Sequence, residues 1–398
     1  MTTRRADIDA LRGLMLVLMT ITHVPTRYSS WLSQPLGFVS SAEGFVFLSA
    51  YMVGLVYTAR AQDKGVRDMW SALWRRTRLV WLCQAAMLVF LFTLIAQIGL
   101  RTGQHSIKNL LSFYLADPVD AFLASLLMLY NPPLLDILPM YFAFMLISPL
   151  AIMIGLQRKG WPILIATSAV LWLLAQLGVP QAIYGMVVNA TELKVPLDQT
   201  GAFHFVAWQL IWIFGMWMGA RGVAAGKKGQ LPGWVVAFAL IYAAVCFVWR
   251  HAVGQSPFGT DADLNVLFDK WRLGPLRLVD FFALMVVIMR FGPRSAGRLS
   301  LAPLEMLGRA SLPVFCAHIV AVLVALSMIG DTVGRVPLWA ETALLAAILW
   351  ALYGIALLSE QIHGSKPTRP SIPKGLAPQT AVMIERPGVQ TALPRASM

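Results

Sequence analysis

An all-helical protein that crosses a membrane many times is the fold predicted for this chain. Its composition, the continuity of its apolar runs and the placement of its charges predict it together. Of 398 residues, 58% are hydrophobic and 13% charged, and the mean hydropathy is +0.67. Soluble domains carry roughly a quarter charged residues, and a chain with half that charge could not cover a water-facing surface of this size. The composition excludes a soluble enzyme, a disordered protein and a secreted disulfide scaffold. The apolar runs approach the roughly 20 residues of a spanning helix and do not alternate as the segments of a membrane β-barrel do.

The runs predict about ten helices, near residues 8–25, 37–58, 78–99, 137–155, 161–178, 205–220, 232–250, 275–291, 312–329 and 338–358. Residues 119–130 read as a short extra helix at the interface or re-entering it. With the N-terminus in the cytoplasm, the inner segments hold 23 of the 32 Lys and Arg and the outer ones 9. The inner face then carries +16 and the outer −2, as the positive-inside rule requires, and both termini are cytoplasmic. The basic excess therefore needs no nucleic-acid partner. Residues 1–363 form the membrane domain. Residues 364–398, with six prolines among Ser, Thr, Gly and basic residues, read as a disordered cytoplasmic tail. Residues 1 to about 30 mimic a signal peptide, but Asp7, Asp9 and Arg12 interrupt the apolar core, and no small-residue cleavage site precedes Pro25. They read as an uncleaved first helix. The three cysteines, Cys83, Cys246 and Cys316, lie in apolar stretches as core residues, and no metal-ligand spacing is present. No metal or organic prosthetic group is implied. The outer segments 100–136, 179–204 and 251–274 are long for membrane connections, and such loops are often functional.

The first hairpin carries the chemistry. Arg12 and His23 are 11 positions apart, which at about 100° per residue returns to within roughly 20° of one helix face, about 16 Å along. The apolar stretch between them is too short to sit in lipid alone, so this helix is expected to be enclosed by protein and to line a wet cavity. A cation near the cytoplasmic surface below a deep imidazole suits a long ligand with an anionic end and a reactive end, such as an acyl-coenzyme A. Glu43, in the next helix, is expected at the depth of His23, where a carboxylate would orient the imidazole. Blander readings stand beside these. In these, His23 and His318 are each only an interhelical hydrogen-bonding group, and Asp9 only the i, i+3 partner of Arg12. The cluster Arg75, Arg76 and Arg78 also reads as a lipid-phosphate anchor.

The run DIDALRGLMLVLMTITH resembles the start of the membrane acyltransferase-3 superfamily. EGFVFLSAYMVG resembles that superfamily's FFxxSG second-helix motif, with Ala50 in place of Gly, and GRASLPVFCAH its late Ser-aromatic-His motif. These segments, with NPPLLDILPMYFAFMLISP, AWQLIWIFGMWMG and KWRLGPLRLVDFFAL, are most similar to the OpgC branch, over residues 7 to about 325. The resemblance implies a ten-helix succinyltransferase of the bacterial inner membrane. It would carry an acyl group from cytoplasmic acyl-coenzyme A, with succinyl-coenzyme A as the expected donor, to a hydroxyl of osmoregulated periplasmic glucans. It places the motif arginine on Arg12, the catalytic histidine on His23, an acidic second-helix residue on Glu43 and the late histidine on His318.

The expected mechanism has His23 as general base, oriented by Glu43. Arg12 holds the donor, helped by Arg75, Arg76 and Arg309. Ser49, Asp9 and His318 are further candidates. On the outer side Asp136, Arg272 and Arg277 are weaker candidates for the glucan or for the succinyl carboxylate, against capping and snorkelling roles. Direct transfer and a path through acyl-His23 both remain open, as does O-acyl transfer, of acetyl for example, to another glycan. A transporter or flippase, which would predict internal repeats or matching broken helices, and a ligand sensor are the readings from other classes; no internal repeat is visible.

Overall fold

A proline decides where the first helix stops. α1 (Ala6–His23) ends because Pro25 disfavours helical geometry at Val24, which is extended at φ −65° and ψ 129°. His23 is thereby the last helical residue. A computed structural model of the chain describes residues 5–191, 195–223, 231–296, 302–330 and 336–364. The expected tail lies, beyond residue 364, outside them.

The longer helices that follow are α2 (Ser41–Lys64), α3 (Val66–Thr102, with a π-helical turn at Leu91–Ile95), α4 (Ile137–Gly155), α5 (Gly160–Gln176) and α6 (Val179–Thr191). After these come α7 (Phe205–Val223), α8 (Gly233–Val253), α9 (Pro275–Ala296), α10 (Ala302–Arg309), α11 (Ser311–Ile329) and α12 (Leu338–Gly364). No strand occurs among the described residues. Each of the ten apolar runs is helical. Length and composition nevertheless support six membrane-spanning helices, or seven if α5 and α6, bent by 70° at their junction, form one span. That falls short of the ten expected. α1 contains Asp7, Asp9 and Arg12, α9 contains Arg277, Asp280 and Arg290, and α7 is diluted by Gln209 and its tryptophans. Such helices depend on protein neighbours where a lipid-facing span does not.

The neighbours are there. α1 packs against α2, α10 and α11. The contact with α10 is close to backbone on backbone: a Cβ on Gly13 would sit 1.9 Å from the Leu304 carbonyl oxygen, and one on Gly308 1.8 Å from that of Asp9. α7 runs along α2, with Trp208 and Trp212 fully buried, and Ala50 of α2 faces Gly215 of α7, which leaves room for the methyl group. α8 and α12 lie at the periphery and expose Trp234, Phe238 and Trp350, as lipid-facing helices do.

α2 begins at Ser41, four residues later than expected. Ser40 and Glu43 form a capping box: the Ser40 N–H and hydroxyl both donate to Glu43 Oε2, at 3.1 and 2.5 Å. Glu43 therefore lies in the first turn of the helix. The short helix expected at 119–130 is Pro118–Leu126, capped by Asp117. Beside it the connections around 131, 200 and 271 are tied together. Asn131 Nδ2 donates to Thr200 O at 2.7 Å, Ala202 N to Asp136 Oδ2 at 3.1 Å, and both His204 N and Trp208 Nε1 to Trp271 O, at 3.1 and 3.0 Å.

Candidate active site

α1 and α11 run side by side in the same direction, and each supplies two polar residues that meet across the contact. Arg12 donates to the hydroxyl of Ser311, and His23 meets His318. Arg12 and His23 are about 16 Å apart along their helix, Ser311 and His318 about 10 Å along theirs. The long arginine side chain spans the difference.

The two imidazoles are nearly parallel, with centroids 5.7 Å apart and planes at 17°, and His23 Nδ1 lies 3.4 Å from His318 Nε2. His318 is fully buried, and its Nδ1 is 2.7 Å from the Phe315 carbonyl oxygen. A carbonyl only accepts, so His318 carries its proton on Nδ1, and its Nε2 accepts. His23 must then donate through Nδ1, which leaves the lone pair of a neutral imidazole on His23 Nε2. The chain from carbonyl to His318 to His23 sets the tautomer a general base needs.

Glu43 does not take that part. Its Oε1 accepts from Arg277 Nε at 2.5 Å and its Oε2 from Ser40, with the carboxylate and the guanidinium both fully buried. The expected Glu43–His23 pair is corrected to a Glu43–Arg277 ion pair tying the start of α2 to α9, because the capping box holds the carboxylate at the helix end. Arg277 is for the same reason no free cation. Phe268 O takes a second of its N–H groups, at 3.4 Å.

Below the histidines a narrow cleft lies between α1, α2, α3, α4 and α11. Arg12, Ser49, Arg76, Tyr141 and Ser311 supply its polar lining, with Phe45 and Phe315 among the apolar residues. Phe45 and Phe315 stack at 5.7 Å, and Phe315 also meets the His318 ring edge-on at 4.9 Å, so one side chain joins cleft and histidine pair. Asp9 stays beside Arg12, 3.8 Å from Nη1. The four expected donor-binding cations separate here. Arg12 and Arg76 line the cleft. Arg309 pairs with Glu360 at 2.6 Å and with Glu305, and the exposed Arg75 donates to Ser71; neither lines the cleft.

At the start of α4, Asp136 is buried and accepts from Ala202; burial pushes its carboxyl up to about 6. Arg272 has its backbone capped by Asp269 Oδ1 at 2.6 Å, and its charge acts on His204. Lys270, which sequence reasoning passed over, lies over the rings of Trp271 and Phe203, and its charge acts on His23, Glu43 and Asp136. Tyr141 and Ser311 were also passed over as site residues. Ser311 had a signal, as the serine of the Ser-aromatic-His stretch. Among the described residues no group of three or more His, Cys, Asp or Glu is placed to hold a metal.

A family model described as OpgC protein matches residues 4–364. This chain belongs to the OpgC family. Membership makes it a membrane acyltransferase linked to osmoregulated periplasmic glucans. No curated protein and no solved structure matched the chain. Arg12, His23, Ser311 and His318, the residues of the OpgC-like motifs, are those that meet between α1 and α11.

Proposed function

We propose that the chain transfers a succinyl group from cytoplasmic acyl-coenzyme A to a hydroxyl of an osmoregulated periplasmic glucan, in the bacterial inner membrane with both termini in the cytoplasm. The observation that carries this reading is the run of contacts from the Phe315 carbonyl through His318 to His23 Nδ1, from which we infer a lone pair on His23 Nε2. The donor's phosphates and pantetheine lie along Arg12 and Arg76 through charge-assisted hydrogen bonds, and the thioester reaches past Phe315 to the histidine pair. His23 Nε2 takes the proton of the glucan hydroxyl as its oxygen attacks the thioester carbonyl. The C–O bond forms, the C–S bond breaks, and the proton passes to the departing thiolate. General-base catalysis contributes typically 10²–10⁴-fold, and much of the remainder comes from positioning the two substrates. Glu43 contributes by holding α2 against α9.

A transporter reading would use the bend between α5 and α6. Purified protein in nanodiscs, given succinyl-coenzyme A and glucan, separates the two. Succinyl-glucan from the wild type and none from folded His23→Ala is the expected result. Equal turnover by both would remove His23 from the chemistry, and no turnover with any short acyl donor would favour the transporter.

A further inference from the structure

A succinyl group differs from a neutral acyl group by a free carboxylate two methylenes from the reacting carbonyl, and an enzyme that selects it needs a cation near its general base. Of the arginines the sequence offers for this, Arg277 is spent on Glu43, and Arg272 acts on His204. Lys270 is different. Its ammonium lies over the ring faces of Trp271, at 4.5 Å, and Phe203, at 5.7 Å, and no hydrogen bond or ion pair joins it to any of the described residues. The two carboxylates whose charge reaches it are occupied: Glu43 by Arg277 and Ser40, and Asp136 by Ala202 N–H. Its charge also reaches His23.

The seat is rigid. The Trp271 carbonyl is gripped by His204 N–H and Trp208 Nε1–H, and Asp269 caps the turn. A half-buried ammonium held only by aromatic faces has given up water without gaining an anion. Burial pulls it below the ordinary lysine range, and an arriving carboxylate would offset that cost.

We infer that Lys270 binds the distal carboxylate of a dicarboxylic acyl group and is the specificity-determining residue of the transfer. The inference rests on the acyl-transfer reading above and adds to it the residue that tells succinyl from a neutral acyl group of equal length.

The test compares succinyl- and butyryl-coenzyme A as donors to glucan in nanodiscs, for wild type, Lys270→Met and Lys270→Arg. The wild type should prefer succinyl. Lys270→Met should lower the succinyl-to-butyryl ratio of kcat/KM by about 10- to 100-fold, the worth of a charged hydrogen bond, through loss on the succinyl donor. Lys270→Arg should restore part of the preference. Equal losses on both donors, or a raised glucan KM alone, would overturn the assignment, as would an active wild type without preference. A wild type that transfers neither group would bring down the acyl-transfer reading itself, a result distinct from an active enzyme whose selectivity ignores position 270.

Discussion

His318 stands between His23 and a backbone carbonyl, with Nε2 3.4 Å from His23 Nδ1 and Nδ1 2.7 Å from Phe315 O. The order of these contacts settles which nitrogen of His23 is open. Under the proposed mechanism His318 takes the orienting part that a carboxylate has in hydrolase triads, without adding a negative charge at membrane depth.

Removing the relay should cost turnover. His318→Ala is expected to lower kcat by about 10²-fold or more with little change in donor KM. The double variant with His23→Ala should be no slower than His23→Ala alone, because the two act as one unit. Steady-state kinetics on the three variants checks this, and multiplied effects would count against the relay.

Glu43 and Arg277 should behave as a structural pair. Glu43→Gln leaves a buried guanidinium without its counter-charge, at an expected cost of about 3–5 kcal/mol in stability. Thermal unfolding in detergent measures it. A full-strength fold with kcat sharply reduced would mean that the carboxylate serves His23 after all.

The cleft arginines should separate from the surface ones. Arg12→Ala and Arg76→Ala are expected to raise donor KM by about tenfold or more, the worth of one charged hydrogen bond, while Arg75→Ala and Arg309→Ala leave it within about twofold. Donor titration at saturating glucan distinguishes the two sets.

Helix contact at Gly13 and Gly308 should tolerate no side chain. With an added Cβ placed 1.9 or 1.8 Å from a carbonyl oxygen, Gly13→Ala or Gly308→Ala must push α10 off α1. More than about 3 kcal/mol should be lost, at or beyond the usual range for overpacking. Expression level and melting temperature report it.

Asp136 should impose a pH dependence on stability. Its carboxyl is raised by burial to about 6 in the fold, against an ordinary value of 3.8. The folded state thus holds the proton more tightly than the unfolded one. The stabilisation is complete below about pH 4 and is lost as pH rises through 6. Asp136→Asn keeps an acceptor for Ala202 N–H and removes the ionisation. It should raise Tm relative to wild type at pH 7.5 and lose the advantage near pH 4.

Much of this architecture can be read locally. Apolar runs mark the helices, and the 11-residue interval of Arg12 and His23 puts both on one face. The Ser40-x-x-Glu43 signature of a capping box is also in the sequence, and it ties Glu43 to the helix start instead of to His23. Other contacts had no local signal. That Arg277 meets Glu43 across 234 residues, or that Lys270 lies over Trp271 and Phe203, follows from how neighbouring helices are rotated and how deep each sits.

By itself, the sequence determined the membrane class, the helical segments and the axis from Arg12 to His23, because each depends on hydropathy or on a fixed angle per residue. The tertiary structure decided the partners. Backbone contact at Gly13 and Gly308 sets α10 against α1, and the parallel run of α11 beside α1 brings His318 to His23. The capping box turns Glu43 away to Arg277. A side chain's partner across a helix interface is set by the approach and register of two helices, and neither is encoded within either segment alone.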